Sequence, residues 1–128
     1  MPLDELLKEA DIITLHIPLT EGTYHLISKE RIDKMKNGAY IINTSRGAVI
    51  DEKALIDALN RGKIAGAALD VFEEEPINNE NLLIKMKNVI LTPHLAASSQ
   101  TALKKMSLEV SEKVIREIKR LENINRSQ

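Results

Sequence analysis

The sequence predicts a three-layer α/β fold built on about four parallel strands. Short apolar runs alternate along the chain with amphipathic segments of helical period. The stretches between successive runs are long enough to be crossovers, which join parallel neighbours. The run at residues 64–71 is too apolar to have a wet face, as expected of a strand covered on both sides.

The elements follow in order. Residues 3–10 read as a short amphipathic helix with Leu3, Leu6 and Leu7 on one face. Residues 11–15 form a brief apolar strand, ended by His16 and Pro18. Ser28 is placed to cap a helix running to about residue 36, and Gly38 ends it. Residues 39–43 are a strand. Asp51 caps a helix from 52 to about 60, ended by Gly62. Residues 64–71 and 89–92 supply two more strands. Ser98 or Ser99 opens a long helix to about residue 121, with Leu103, Met106, Val110, Val114, Ile118 and Leu121 as its apolar stripe. The run Ala65-Gly66-Ala67-Ala68 is unusually small, which lets a helix or a ligand come close to its strand.

Bulk properties narrow the function. A chain of 128 residues is enough for one compact domain, and 43% hydrophobic with 29% charged residues suits a folded one. The net charge of −1, with acids and bases interspersed, gives no nucleic-acid groove and no polybasic membrane patch. The absence of cysteine excludes disulfides and thiolate metal sites, and no metal is expected in the site. The first residues are acidic and are not expected to form a leader, and no stretch approaches the ~18 apolar residues of a membrane helix. A cytoplasmic setting is the expectation.

In open parallel sheets, ligands bind beyond the carboxyl ends of the strands. Three polar residues stand there: Arg46 after strand 39–43, Glu75 after strand 64–71 and His94 after strand 89–92. Together they offer an anion clamp, a carboxylate and a titratable base. His16 also ends a strand, where its ring has the simpler reading of packing beneath the next loop. His25, between Tyr24 and Leu26, reads as structural or exposed.

The string Asn43-Thr44-Ser45-Arg46-Gly47-Ala48-Val49-Ile50-Asp51 resembles the arginine motif of the D-isomer-specific 2-hydroxyacid dehydrogenases. Ala54-Leu55 with Ala58-Leu59, then the segment from Gly62 to Glu75-Pro76, continues the likeness. Thr92-Pro93-His94 closes it, and His16-Ile17-Pro18-Leu19-Thr20 is similar to the family's earlier cofactor-side loop. Within the family the pattern looks most like phosphoglycerate dehydrogenase, then glyoxylate or hydroxypyruvate reductase.

The resemblance implies a partial Rossmann-type, doubly wound parallel sheet. Residues 1–128 would be the C-terminal half of the NAD-binding domain, with the long helix 100–121 at its end. It implies Arg46 as the clamp on a substrate carboxylate, which its planar fork suits. His94 becomes the acid/base and Glu75 the carboxylate that orients it and stabilises imidazolium. Asp70 becomes the residue that holds the nicotinamide carboxamide, while His16, Pro18, Thr20, Thr44 and Ala96 line the cofactor. The family often carries two glycines where this chain has Ala96-Ala97; the added methyls would tune cofactor fit.

The implied cofactor is NAD, with NADP an open alternative, and the implied substrate is a small 2-hydroxy or 2-keto acid. The five glycines, at 22, 38, 47, 62 and 66, form no Gly-x-Gly-x-x-Gly. A separate N-terminal segment is therefore an expected partner, and the unpaired sheet edge leads to an expected homodimer. The alternative is a non-catalytic binding or assembly module, or a split-gene subunit, that keeps the fold.

Overall fold

The computed structural model describes residues 1–96 and 98–126, with side chains described through residue 120. Ala97 and the Leu121 side chain lie outside the described residues. The chain runs α1 (Leu3–Glu9), β1 (Ile12–Leu15), α2 (Lys29–Lys34), β2 (Ala39–Asn43), α3 (Glu52–Asn60), β3 (Ile64–Leu69), β4 (Val89–Leu91) and α4 (Gln100–Arg126). Two short 3-10 turns, Gly47–Val49 and Leu82–Lys85, lie between these elements. It divides into two compact units, Met1–His94 and the segment from Leu95 onward.

In the first unit the four strands form one parallel sheet in the order β1-β2-β3-β4. The expected caps are in place. The Ser28 hydroxyl accepts from the Arg31 N–H, and an Asp51 carboxylate oxygen accepts from the Ala54 N–H at 3.0 Å. Gly62 follows the α3 cap Arg61 with φ of +71°, the left-handed stop that glycine adopts at little cost. Gly38, expected to end α2, has φ of +81° but lies three residues past its cap, in the turn that enters β2. α2 ends earlier than expected, at Lys34, because Met35 turns to extended backbone and buries its side chain.

Helices α1–α3 supply Leu7, Ile32, Leu55, Ala58 and Leu59 to one core with Ile13, Ile41, Ile64 and Leu69 of the sheet. Full burial of each large aliphatic side chain stabilises by about 1.5–3 kcal/mol. Each crossover steps in the same direction along the sheet, so crossovers of one hand place their helices on one face. The first unit therefore builds one of the two expected helical layers from its own helices. The opposite sheet face carries Ile12, Tyr40 and Ile90, which are 60%, 51% and 69% exposed.

The small run in β3 has a local cause. The ladder with β2 shifts register so that Ala39 pairs with Ile64 and Tyr40 with Gly66, leaving Ala65 as the extra residue of a bulge. A Cβ on Gly66 would stand 2.8 Å from the Asn88 carbonyl and 3.1 Å from the Tyr40 ring. A backbone carbonyl and an aromatic ring, both of this unit, thus use the space that the missing side chain leaves.

In the second unit, α4 runs to Arg126, beyond the expected end. Leu103, Met106, Val110, Val114 and Ile118 of its apolar stripe are all exposed. Among the described residues, no helix is long and apolar enough to cross a membrane.

Candidate active site

The arginine loop is built on a buried asparagine. Asn43 ends β2 and is almost fully buried. Its Oδ1 accepts from the Ser45 N–H at 3.0 Å and the Ser45 hydroxyl at 2.9 Å, while its Nδ2 donates to the Arg46 carbonyl at 3.0 Å. These bonds fix the turn that places Arg46, exposed, at the carboxyl end of the strand. The Arg46 guanidinium donates to the Ser45 carbonyl at 2.6 Å.

Gly47 then packs directly against the next loop. A Cβ there would lie 1.9 Å from both the carbon and the oxygen of the Phe72 carbonyl, and 2.5 Å from the Glu73 nitrogen. Only a residue without a side chain lets the two loops touch.

That contact seats the segment Phe72-Glu73-Glu74-Glu75 beyond β3. Glu75 Oε1 accepts from the Phe72 N–H at 3.1 Å, and Oε2 lies 2.8 Å from His94 Nδ1. His94 sits just past β4 with φ of +54°, in the left-handed region that histidine visits more readily than most residues. The Glu75–Pro76 peptide is cis. The bond from His94 holds the Glu75 carboxyl below its ordinary value of 4.5. Burial opposes that shift, and the Phe72 N–H and the positive charges of His94 and Arg46 reinforce it. A pocket of about 370 Å³ beside the pair is lined by Phe72, Glu75, Pro76, Ile77, Pro93 and His94.

The expected trio thus divides. Glu75 and His94 are in direct contact. Arg46 acts on Glu75 through its charge and is not among the residues that line the pocket. Asp70 is buried at the end of β3, where it accepts a hydrogen bond from the Thr92 hydroxyl at 2.5 Å. His16, Pro18 and Thr20 beyond β1 and Thr44 beyond β2 are exposed, and the His16 Nε2 lies 2.8 Å from the Thr14 hydroxyl. Ala96 is exposed and belongs to the second unit.

Residue-type reasoning passes over Asn43, Gly47 and Thr92 as individual contributors. Asn43 and Gly47 stand inside the arginine string, but a contact across 25 residues leaves no local signature. His25, expected to be structural or exposed, is half-buried, with its Nε2 2.7 Å from Glu73 Oε1.

Comparison with known proteins agrees with this geometry. The family model for the NAD-binding domain of D-isomer specific 2-hydroxyacid dehydrogenases matches residues 1–96. The chain is 50% identical over 115 residues to a glyoxylate reductase of Korarchaeum cryptofilum, covering 90% of this chain and 35% of that protein. It is 44% identical over 112 residues to a D-3-phosphoglycerate dehydrogenase of Archaeoglobus fulgidus, covering 88% of this chain and 21% of that one. The D-lactate dehydrogenase of Aquifex aeolicus, solved with NAD and lactic acid, superposes with a TM-score of 0.79 at 42% identity, covering 93% of this chain and 40% of that chain. The chain therefore spans about a third of the glyoxylate reductase and a fifth of the phosphoglycerate dehydrogenase. With the family model matched over most of its length, this chain belongs to the D-isomer specific 2-hydroxyacid dehydrogenases and carries part of their NAD-binding domain.

Proposed function

We propose that this chain supplies the reaction end of an NAD(H)-dependent dehydrogenase that interconverts a small 2-hydroxy acid and its 2-keto acid. The observation that carries the reading is the 2.8 Å contact between Glu75 and His94 Nδ1 at the carboxyl edge of the sheet. With Nδ1 engaged by the carboxylate, Nε2 is the ring atom that exchanges a proton with the substrate oxygen. In oxidation His94 takes the hydroxyl proton, and in reduction it returns it. Glu75 keeps the ring oriented and stabilises it while protonated. Arg46 grips the substrate carboxylate.

When bound, the nicotinamide cofactor supplies the acceptor or donor of hydride. His16, Pro18, Thr20, Thr44 and Asp70 follow three adjacent parallel strands, and their imidazole, hydroxyls and carboxylate suit its polar nicotinamide end. Ala96 joins this set in the reading. The ribose-binding acid and phosphate loop that would separate NAD from NADP have no counterpart in this sequence. Glyoxylate and hydroxypyruvate are the first substrates to try. The reading also includes association, with an N-terminal segment such as the relatives carry and with a second copy. The bare face around Ile12, Tyr40 and Ile90 and the edge strands β1 and β4 support it.

The test is complementation. The chain is combined with the N-terminal part of the Korarchaeum relative, and NADH-dependent reduction of glyoxylate is followed. His94→Ala is expected to lower kcat by about 10²–10⁴-fold, the usual worth of general acid–base catalysis. Arg46→Ala is expected to raise KM as well. Unchanged turnover in His94→Ala contradicts the reading.

A further inference from the structure

We propose that His25 is a positioning residue for the Glu75–His94 pair, acting through Glu73; the proposal rests on the reading of that pair given above. His25 and His94 are the non-glycine residues with positive φ among those described, at +46° and +54°. Left-handed backbone is unfavourable for an L-residue, so surrounding contacts hold both. Each is paired with a glutamate of the same short loop: His25 with Glu73 at 2.7 Å, and His94 with Glu75 at 2.8 Å. One acidic segment thus braces two histidines that come from loops beyond different strands, β1 and β4.

Glu73 is the joint. Its Oε1 accepts from the Glu52 N–H at 3.0 Å as well as meeting His25, and its own N–H donates to Glu52 Oε2 at 3.2 Å. It therefore ties together the loop after β1, the start of α3 and the loop after β3. The His25 N–H donates to the Ala48 carbonyl at 2.8 Å, and its ring stacks on Tyr24 with centroids 4.0 Å apart. The bond to Ala48 anchors the histidine to the arginine loop, and the stack on Tyr24 fixes its ring within its own loop. One residue before Glu73, the Phe72 N–H donates to the carboxylate that holds His94. A displaced Glu73 carries Phe72 with it and loosens Glu75.

Ligand atoms of His25, Asp51 and Glu73 all lie within 4.8 Å of one another, a spacing a cation would also accept. Each already serves a protein partner, Asp51 as the cap of α3. The group closes on itself as a brace between loops. It also connects the loop bearing Pro18 and Thr20 to the acid/base pair, so a change at one is felt at the other.

The test uses the 128-residue chain and needs no turnover. NMR follows the His94 Nδ1 resonance, and hydrogen exchange follows the Phe72 amide, in the wild type, His25→Asn, Glu73→Ala and Glu73→Gln. Asparagine tolerates the left-handed backbone but is too short to reach Glu73. In His25→Asn and Glu73→Ala, the Nδ1 signal is expected to lose its hydrogen-bonded signature. Phe72 exchange is expected to rise about tenfold in both, while strand β2 amides stay protected. Glu73→Gln keeps an acceptor oxygen and should remain near wild type. Unchanged Nδ1 and Phe72 signals in both disruptive variants overturn the proposal. So does an equal rise across β2, which would mean global loosening. Failure of glyoxylate reduction after complementation would instead count against the catalytic reading and leave this coupling as measured.

Discussion

At the carboxyl end of β2, Asn43 is buried and ties down Ser45 and Arg46. Beyond β1, by contrast, His16, Pro18, Leu19 and Thr20 are exposed, and the Thr23 hydroxyl closes that loop on its own residues, donating to the Pro18 carbonyl at 2.7 Å. The first region is locked by contacts that cross the fold, from Gly47 to Phe72 and from Glu75 to His94. The stretch from Pro18 to Thr23 is held mainly by local bonds, and the chain is tied across the fold only further on, at His25 and Ile27. On the proposed reading, the difference teaches that the end assigned to proton transfer is organised in advance, where positioning counts most for rate. The same reading leaves the loop after β1, assigned to the cofactor side, to be completed by what binds there.

The comparison fails if the locked region yields easily. Gly47→Ala should have the largest effect, because its methyl would collide with backbone that cannot rotate away. A loss of about 3 kcal/mol in denaturant unfolding is expected, at the upper end of overpacking costs. A loss within error would mean that the two loops part freely. Asn43→Ala comes next. It removes three hydrogen bonds from a buried site and should cost about 2 kcal/mol, with Arg46 losing its fixed turn in NMR spectra.

Acid should release the locked region in a defined order. The folded-state value of Glu75 lies below its ordinary 4.5. Its contribution is therefore complete above the unfolded value and is lost as pH falls through the depressed one. Carbon NMR of the Glu75 carboxyl should show it titrating below its ordinary 4.5. Phe72 amide protection should fall in the same step, and fading at neutral pH would contradict this. Thr23→Val should have the smallest effect. It frees the loop after β1 but should change global stability by less than about 1 kcal/mol, since its bonds are local and partly solvated.

Much of the scaffold is legible in residue types. Ser28 and Asp51 announce helix starts and Gly62 a helix end, because each meets a need of the local backbone, whereas Gly38 lies past the Met35 cap that ends α2. The parallel direction of the strands is legible, since crossovers of this length join parallel neighbours, but their order β1-β2-β3-β4 is not. The site is legible in part, since Arg46, Glu75 and His94 each follow a strand. What stays hidden depends on packing between distant segments. The bulge at Ala65 depends on the ladder with β2, and the need for glycine at 47 depends on Phe72. The partner of His25 lies 48 residues away. The second helical layer was expected from strand composition, but composition does not say which element supplies the cover for a face.

Calorimetric titration of NADH into the isolated chain tests the contrast between the two regions most directly. Dinucleotide affinity in such folds comes largely from a glycine-rich turn, the N-terminus of the helix that follows it and an acid on the ribose, and this sequence has no Gly-x-Gly-x-x-Gly turn. Contacts at the nicotinamide end alone must offset the several kcal/mol of freedom lost on binding. The predicted result is no binding in the micromolar range, with affinity appearing once the N-terminal part of a relative is supplied. Micromolar affinity in the chain alone would contradict the proposed division into a preformed reaction end and an incomplete cofactor end.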